Sequence, residues 1–242
     1  MNREKILLVV LVLILIALNY NSINGFLIKN LDSREMVKVE RVIDGDTVVV
    51  NGTSVRLLGI NTPERGEKYY LEAKKFLEGK VMNKTIYIER KGKDRYYRDL
   101  GYLFLFSGEN INSEIVRNGY ANYYFPSGKD NYYDEFVSSW SECISSGKNL
   151  CDKSEYECII LKELDIKNQA VILENKCNYN INLENWEMKD EGRKKFVFGD
   201  VELEDEIIIT NEDFKQDYVW TDSGDTLFLR DDTGKLVLWE SY

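Results

Sequence analysis

Val42-Ile43-Asp44-Gly45-Asp46-Thr47-Val48-Val49-Val50-Asn51-Gly52-Thr53-Ser54-Val55-Arg56-Leu57-Leu58 is the stretch whose reading decides the fold. Two apolar runs, Thr47 to Val50 and Val55 to Leu58, flank Asn51-Gly52, a pair suited to a two-residue hairpin turn because both positions tolerate positive φ. Upstream, Val37 to Ile43 alternates apolar and polar residues with the period of a half-buried strand. Asp44-Gly45-Asp46 therefore falls at a tight turn between strands. Because a strand alternates its side chains, Asp46 and Arg56 are expected to face one groove while Val55 and Leu57 face the core.

Outward from this hairpin, Asn61 to Lys68 is irregular and a helix is expected from about Tyr69 to Leu77, stopping at Gly79. Thr85 to Arg90 and Gly101 to Phe106 read as further strands around a charged loop. A short helix from about Ile111 to Asn118 ends at Gly119, and a longer one runs from about Tyr132 to Ser145. Five strands with interspersed helices suit a small OB-type barrel over residues 36–154. From Cys158 the texture changes to short alternating runs: Ala170 to Leu173, Val201 to Thr210, Thr226 to Arg230 and Lys235 to Trp239. That pattern predicts a second, all-β sandwich domain over residues 158–242.

Composition bounds the chemistry. The 242 residues are 43% hydrophobic and 31% charged, as in an ordinary globular protein, and include no histidine. Triads, zinc sites and general bases that need imidazole are excluded. Catalysis must rest on carboxylates, arginine, lysine, tyrosine or a hard metal ion. The formal net charge of −10 would argue against a nucleic-acid partner. It is, however, an average: residues 34–154 carry +1 and residues 155–242 carry −12.

At the N-terminus, Arg3 and Lys5 precede an unbroken apolar run from Ile6 to Leu18. Its thirteen residues suit the core of a signal peptide and fall short of the roughly 20 needed to span a bilayer. Residues 1–25 are expected to be a signal peptide or membrane anchor and 26–35 a tether. The protein is thus expected outside the cell, secreted or anchored through residues 6–18 to the outer face of the membrane. The even set Cys143, Cys151, Cys158 and Cys177 agrees with an oxidising compartment. Cys143 and Cys151 lie eight apart across Gly147; of the three connectivities four cysteines allow, Cys143–Cys151 with Cys158–Cys177 is the one expected.

The residues with chemistry lie in the first domain: Asp44-Gly45-Asp46-Thr47, Arg56, Asn61-Thr62-Pro63-Glu64 and Asp94-Arg95-Tyr96-Tyr97-Arg98. Carboxylate, amide and carbonyl oxygens suit a hard cation such as calcium. Two arginines beside it suit a phosphodiester, since their planar forks match phosphate oxygens. With no histidine present, Glu64 is the natural base for water. Arg90, Lys91, Lys93, Arg95 and Arg98 form a basic stretch nearby. Tyr120, Tyr123, Tyr124 and Phe125 are either core or faces for base stacking.

As an ordered set, Val42 to Thr47, Val55 to Glu64, Asp94 to Arg98 and Glu114 to Ala121 resemble the staphylococcal nuclease (thermonuclease) family, from about Met36 to Asp152. The resemblance implies an OB-fold, one Ca²⁺ and endonucleolytic hydrolysis of DNA and RNA to products with 3′-phosphates. It implies Asp46, Asn61 and Thr62 (through its carbonyl) as metal ligands and Glu64 as general base. Arg56 and Arg98 would clamp the scissile phosphate, with Tyr96 beside the 3′-phosphate. From the basic stretch and the aromatic faces themselves, Arg95, Tyr123 and Tyr124 are expected as further substrate contacts. The family usually has Asp where this chain has Asn61, so calcium is expected to bind more weakly, and Asn61→Asp to raise apparent affinity. The alternative is a non-catalytic OB-fold module that binds nucleic acid or protein at the envelope. The second domain resembles a lamin-tail domain over Ala170 to Lys176, Ile181 to Asp190 and Asp222 to Asp231. That implies an immunoglobulin-like sandwich that binds a protein or envelope component, or serves as a spacer. In it, Trp186 is expected in the core and Asp231-Asp232 at a hairpin turn.

Overall fold

The computed structural model describes residues 34–242 and, N-terminal to them, Lys5, Leu8, Val9, Leu11, Val12 and Leu15. Most of the expected export segment and tether lies outside the described residues. Among the described residues, no helix is long and apolar enough to cross a membrane.

The hairpin forms as its sequence requires. Strand β2 (Thr47–Val50) pairs with β3 (Thr53–Leu57) around Asn51 and Gly52, both at positive φ. Thr47 lies opposite Arg56, and Val48 and Val55 turn inward with no exposure. Together with β1 (Arg34–Asp44), β5 (Thr85–Lys93) and β6 (Asp99–Phe104), these strands close a five-stranded barrel in the order β1-β2-β3-β6-β5. Closure comes from the parallel pairing of β3 with β6, two strands far apart in sequence. Helices α1 (Tyr70–Val81), α2 (Ile111–Arg117) and α3 (Tyr133–Ser146) pack around the barrel. Asn110 caps α2 by accepting from the backbone N–H groups of Asn112 and Ser113.

Some boundaries differ from the sequence reading, each for a packing reason. Helix α1 does not stop at Gly79. It runs to Val81, since Ala73, Leu77 and Val81 form one buried face, which outweighs the roughly 1 kcal/mol that glycine costs a helix. Asn61, read as the start of the irregular stretch, instead ends a short strand, β4 (Gly59–Asn61), paired with β7 (Asn122–Tyr124). That pairing draws Tyr123 inward.

The second unit is all-β. Strands β8 (Ile159–Asp165), β9 (Ala170–Asn175) and β14 (Glu206–Thr210) make one sheet; β11 (Glu187–Lys189), β12 (Lys195–Val197), β15 (Thr226–Arg230) and β16 (Leu236–Ser241) make another. Between them lies a core that holds Val171, Leu173, Met188, Leu229 and Trp186. The short strands β10 (Ile181–Asn182) and β13 (Glu202–Leu203) pair with each other. Cys143 is bonded to Cys151 at the end of α3, and Cys158 to Cys177 beside β8.

The two units are fused through side chains. Phe228 and Leu236 of the sandwich are buried in the barrel's core cluster, and Trp140 of α3 meets both Phe228 and Trp239 edge-on. The Leu236 N–H donates to the Asp152 carbonyl, and the Ser154 N–H donates back to the Leu236 carbonyl. The Ser154 hydroxyl donates to Asp231 at 2.6 Å, both groups being buried. Burial by itself would raise the Asp231 carboxyl, but hydrogen bonds from Ser154 and Thr233 hold it below the usual carboxylate range. A carboxyl lowered in this way stabilises the fold above the unfolded titration near ~3.9 and loses that contribution as pH falls. Ser154→Ala is therefore expected to cost about 1.5–3 kcal/mol at neutral pH. Denaturant melts from pH 7 downward should show the penalty shrinking as Asp231 takes up its proton.

Candidate active site

The turn between β1 and β2 brings Asp44 and Asp46 to one end of the barrel. Gly45 is required there by close approach: a Cβ would lie 2.8 Å from Ala73 Cβ and 2.9 Å from Thr62 Cγ2. Asp46 is buried and accepts from the Thr62 hydroxyl at 2.9 Å and the Thr47 hydroxyl at 3.0 Å. Arg56, one residue from the buried Leu57, turns outward from β3, and its Nη2 reaches Asp46 Oδ2 at 3.1 Å. The same guanidinium donates to the carbonyls of Leu57 and Ile60, which fixes the fork in place. The Asp44 carboxyl is pushed up to about 6 by burial and by the neighbouring charge of Asp46.

Asn61 ends β4 beside Thr62 and is almost fully buried. Its amide nitrogen donates to the Gly192 carbonyl at 2.6 Å and the Glu191 carbonyl at 3.3 Å, across the junction with the sandwich. Glu64 follows in the loop, half exposed, with its carboxylate 2.5 Å from Arg193 Nη2. Arg98 lies across the opening, its Nε bonded to Asp94 at 2.7 Å in a loop that returns to β6. Tyr96, 64% exposed, presents its ring beneath the guanidinium groups of Arg95 and Arg98.

A cleft of about 1320 Å³ gathers Arg56, Asn61, Arg95, Tyr96, Arg98 and Tyr124 on the barrel side. The cleft thus brings together six of the residues singled out in the sequence; Asp46 and Thr62 are buried and do not line it, and Glu64 is tied to it through Arg193. Tyr123 stands apart. It is 5% exposed, its ring packs edge-on against Tyr133 and Trp140, and its hydroxyl meets Ser241 at 2.6 Å. It is a core residue and offers no stacking face. The basic stretch also divides: Arg90 pairs with Glu35 and Asp99, Lys91 with Glu89 and Lys93 with Asp99, so only Arg95 and Arg98 line the cleft.

The opposite wall was missed in the sequence. It is the sandwich turn Asp190 to Lys194, with Tyr218 and Asp225. Burial first, and then the charge of Asp225, pushes the Asp190 carboxyl up to about 6; the same two causes, with Asp190, push Glu191 to about 7. A signal for this wall did exist. Arg193-Lys194-Lys195 is the one run of three cations in a domain of charge −12. Among the described residues, no cluster of three or more acidic or thiol side chains converges as a metal site. The oxygen donors at the barrel end are the Asp44 and Asp46 carboxylates, the Asn61 amide and the Thr62 carbonyl. Such a set fits a hard cation held largely by neutral oxygens.

Asn61 also explains its own identity. Aspartate in its place would set an acceptor against two backbone carbonyls that now receive N–H groups. Asn61→Asp is expected to destabilise the fold by about 1–3 kcal/mol, read by chemical denaturation, whatever its effect on calcium affinity.

Comparison with known proteins was then informative. The model of the family described as Staphylococcal nuclease homologue matches residues 54–152. An uncharacterized protein of Methanocaldococcus jannaschii is 34% identical over 155 residues, covering 50% of this chain and 72% of that protein. A thermonuclease of Staphylococcus intermedius is 32% identical over 139 residues, covering 51% of this chain and 82% of that protein. An uncharacterized endonuclease of Haemophilus influenzae is 33% identical over 126 residues, covering 50% and 65% respectively. In each case the match covers about half of this chain.

Proposed function

We propose that this chain, which belongs to the staphylococcal nuclease homologues, is an exported, calcium-dependent endonuclease that hydrolyses DNA and RNA. The observation that supports it most is the convergence of Arg56, Asn61, Tyr96 and Arg98 on one cleft, with the buried Asp46 paired to Arg56 and Glu64 paired to Arg193 of the facing wall. These are the groups phosphodiester hydrolysis needs in a protein without histidine. The apolar run Ile6 to Leu18 and the two disulfides support export, and the same run is the proposed anchor if it is retained.

In this reading Asp46, Asn61 and the Thr62 carbonyl would hold the metal, with Asp44 close by. What a bound calcium ion supplies there is Lewis acidity toward a phosphate oxygen. Glu64 takes the proton of a water molecule as its oxygen bonds to phosphorus. The bond from phosphorus to the 5′ oxygen breaks and that oxygen takes a proton from solvent water, leaving a 3′-phosphate and a 5′-hydroxyl. Arg56, already held by Asp46 and two carbonyls, meets the charge that builds on the phosphate at little reorganisation cost. Arg98 closes on it from the opposite loop. Tyr96 and Tyr124 offer ring faces, and base stacking contributes about 1–3 kcal/mol per base without regard to sequence.

The test is digestion of single-stranded DNA by the full chain. Cleavage should require millimolar calcium, stop with EDTA and return when calcium is restored. Glu64→Gln should lower kcat by roughly 10²- to 10⁴-fold. Cleavage that survives chelation would remove the metal from the reading, and full activity in Glu64→Gln would remove the base.

A further inference from the structure

The loop that carries Glu64 is tied to its own domain at its two ends, where the Thr62 hydroxyl donates to Asp46 and the Tyr70 N–H to the Glu67 carbonyl. Between the end of β4 and the start of α1 it forms no regular element, and its middle has only the Glu64 N–H donating to the Glu67 carboxylate and the Glu67 N–H to the Glu64 carbonyl. Three of its side chains, and Asn61 at the end of β4, reach the sandwich. Asn61 donates to the Gly192 carbonyl at 2.6 Å, Glu64 pairs with Arg193 at 2.5 Å, Glu67 with Lys195 at 2.8 Å, and Lys68 donates to the Thr233 carbonyl at 2.8 Å. Asn122, on the strand that pairs with β4, donates to the Glu191 carbonyl at 3.0 Å.

We propose that the sandwich is a positioning element of the nuclease site, and that Arg193 is the residue that holds the Glu64 carboxylate in place for its work on water. This rests on the nuclease reading above and adds to it a role for the second domain. The turn that bears Arg193 is stiff. Asp190 accepts from the Lys194 N–H at 2.9 Å, the Asp190 N–H donates to the Lys194 carbonyl at 3.0 Å, and the Glu191 N–H donates to Asp225 at 3.2 Å. Behind the turn, Phe228 and Leu236 are buried in the barrel's own core, so the sandwich is not a hinged cap. Arg193 is accordingly a fixed support. As an exposed ion pair it adds only about 0–1 kcal/mol to stability, so its consequence lies in geometry. Displacement of a catalytic group by about 1 Å can cost on the order of 10²-fold in rate.

Kinetics of the full chain on single-stranded DNA test this, with Arg193→Ala and Arg193→Lys beside the wild type. Arg193→Ala should lower kcat roughly ten- to hundredfold with KM nearly unchanged, and Arg193→Lys should recover most of the loss. In a Glu64→Gln background the alanine change should add nothing further. Unchanged kcat, a rise in kcat on release of the base, or an effect confined to KM would each overturn the proposal. Hydrogen exchange gives a readout free of turnover. Amides 64–68 should exchange faster in Arg193→Ala at an unchanged melting temperature, and equal exchange would overturn it. Inactive wild type with faster loop exchange in the variant would count against the nuclease reading and not against this one.

Discussion

The amide of Asn61 and the carbonyls of Glu191 and Gly192 form the contact on which the site depends. Buried carbonyls need donors, and an asparagine amide supplies one where a carboxylate cannot. The bond anchors the last residue of β4, whose successors are Thr62 and Glu64, to a turn of the other unit. The loop on that side of the cleft, with Thr62 and Glu64, takes its position in part from this anchor. The departure from the family's usual residue at this position is thus a condition of the two-unit architecture. It need not be read as decay of a metal site.

An acidic domain beside the cleft proposed to take a phosphodiester presents an electrostatic difficulty, which the local arrangement eases. The segment of the sandwich that faces the cleft, Asp190 to Lys194, ends in the cations Arg193 and Lys194. The two carboxyls of that segment, Asp190 and Glu191, are pushed toward the neutral form by burial and by the charge of Asp225. A polyanion approaching from solvent meets Arg95 and Arg98 on one wall and Arg193 and Lys194 on the other. Net charge is therefore a poor guide to what this protein accepts, because binding responds to charge within about a Debye length.

Much of the barrel was legible because its signals are local. The Asn51-Gly52 turn and the Asp-Gly-Asp corner act over a few residues and formed as read, while the alternation of Val37 to Ile43 holds only to Val39, where a register shift turns Val42 inward and leaves Ile43 exposed. Tyr123 and the basic run could not be read in the same way. Whether a tyrosine is core or surface depends on which strand pairs with its own, and β7 pairs with β4, some sixty residues earlier. Whether a lysine is free depends on acids brought alongside by the β5–β6 ladder.

By itself, the sequence determined the chemistry available: carboxylates, arginines and oxygen ligands in a chain without histidine, set on strands whose period dictates which side chains share a groove. Only the tertiary structure decided what holds that chemistry in place. Asn61 and Gly192 stand 131 positions apart, and no periodicity or turn rule acts over such a distance. They meet because Phe228, Leu236 and Trp140 are excluded from water together, and that burial fixes the turn of one unit against the Thr62 to Tyr69 loop of the other.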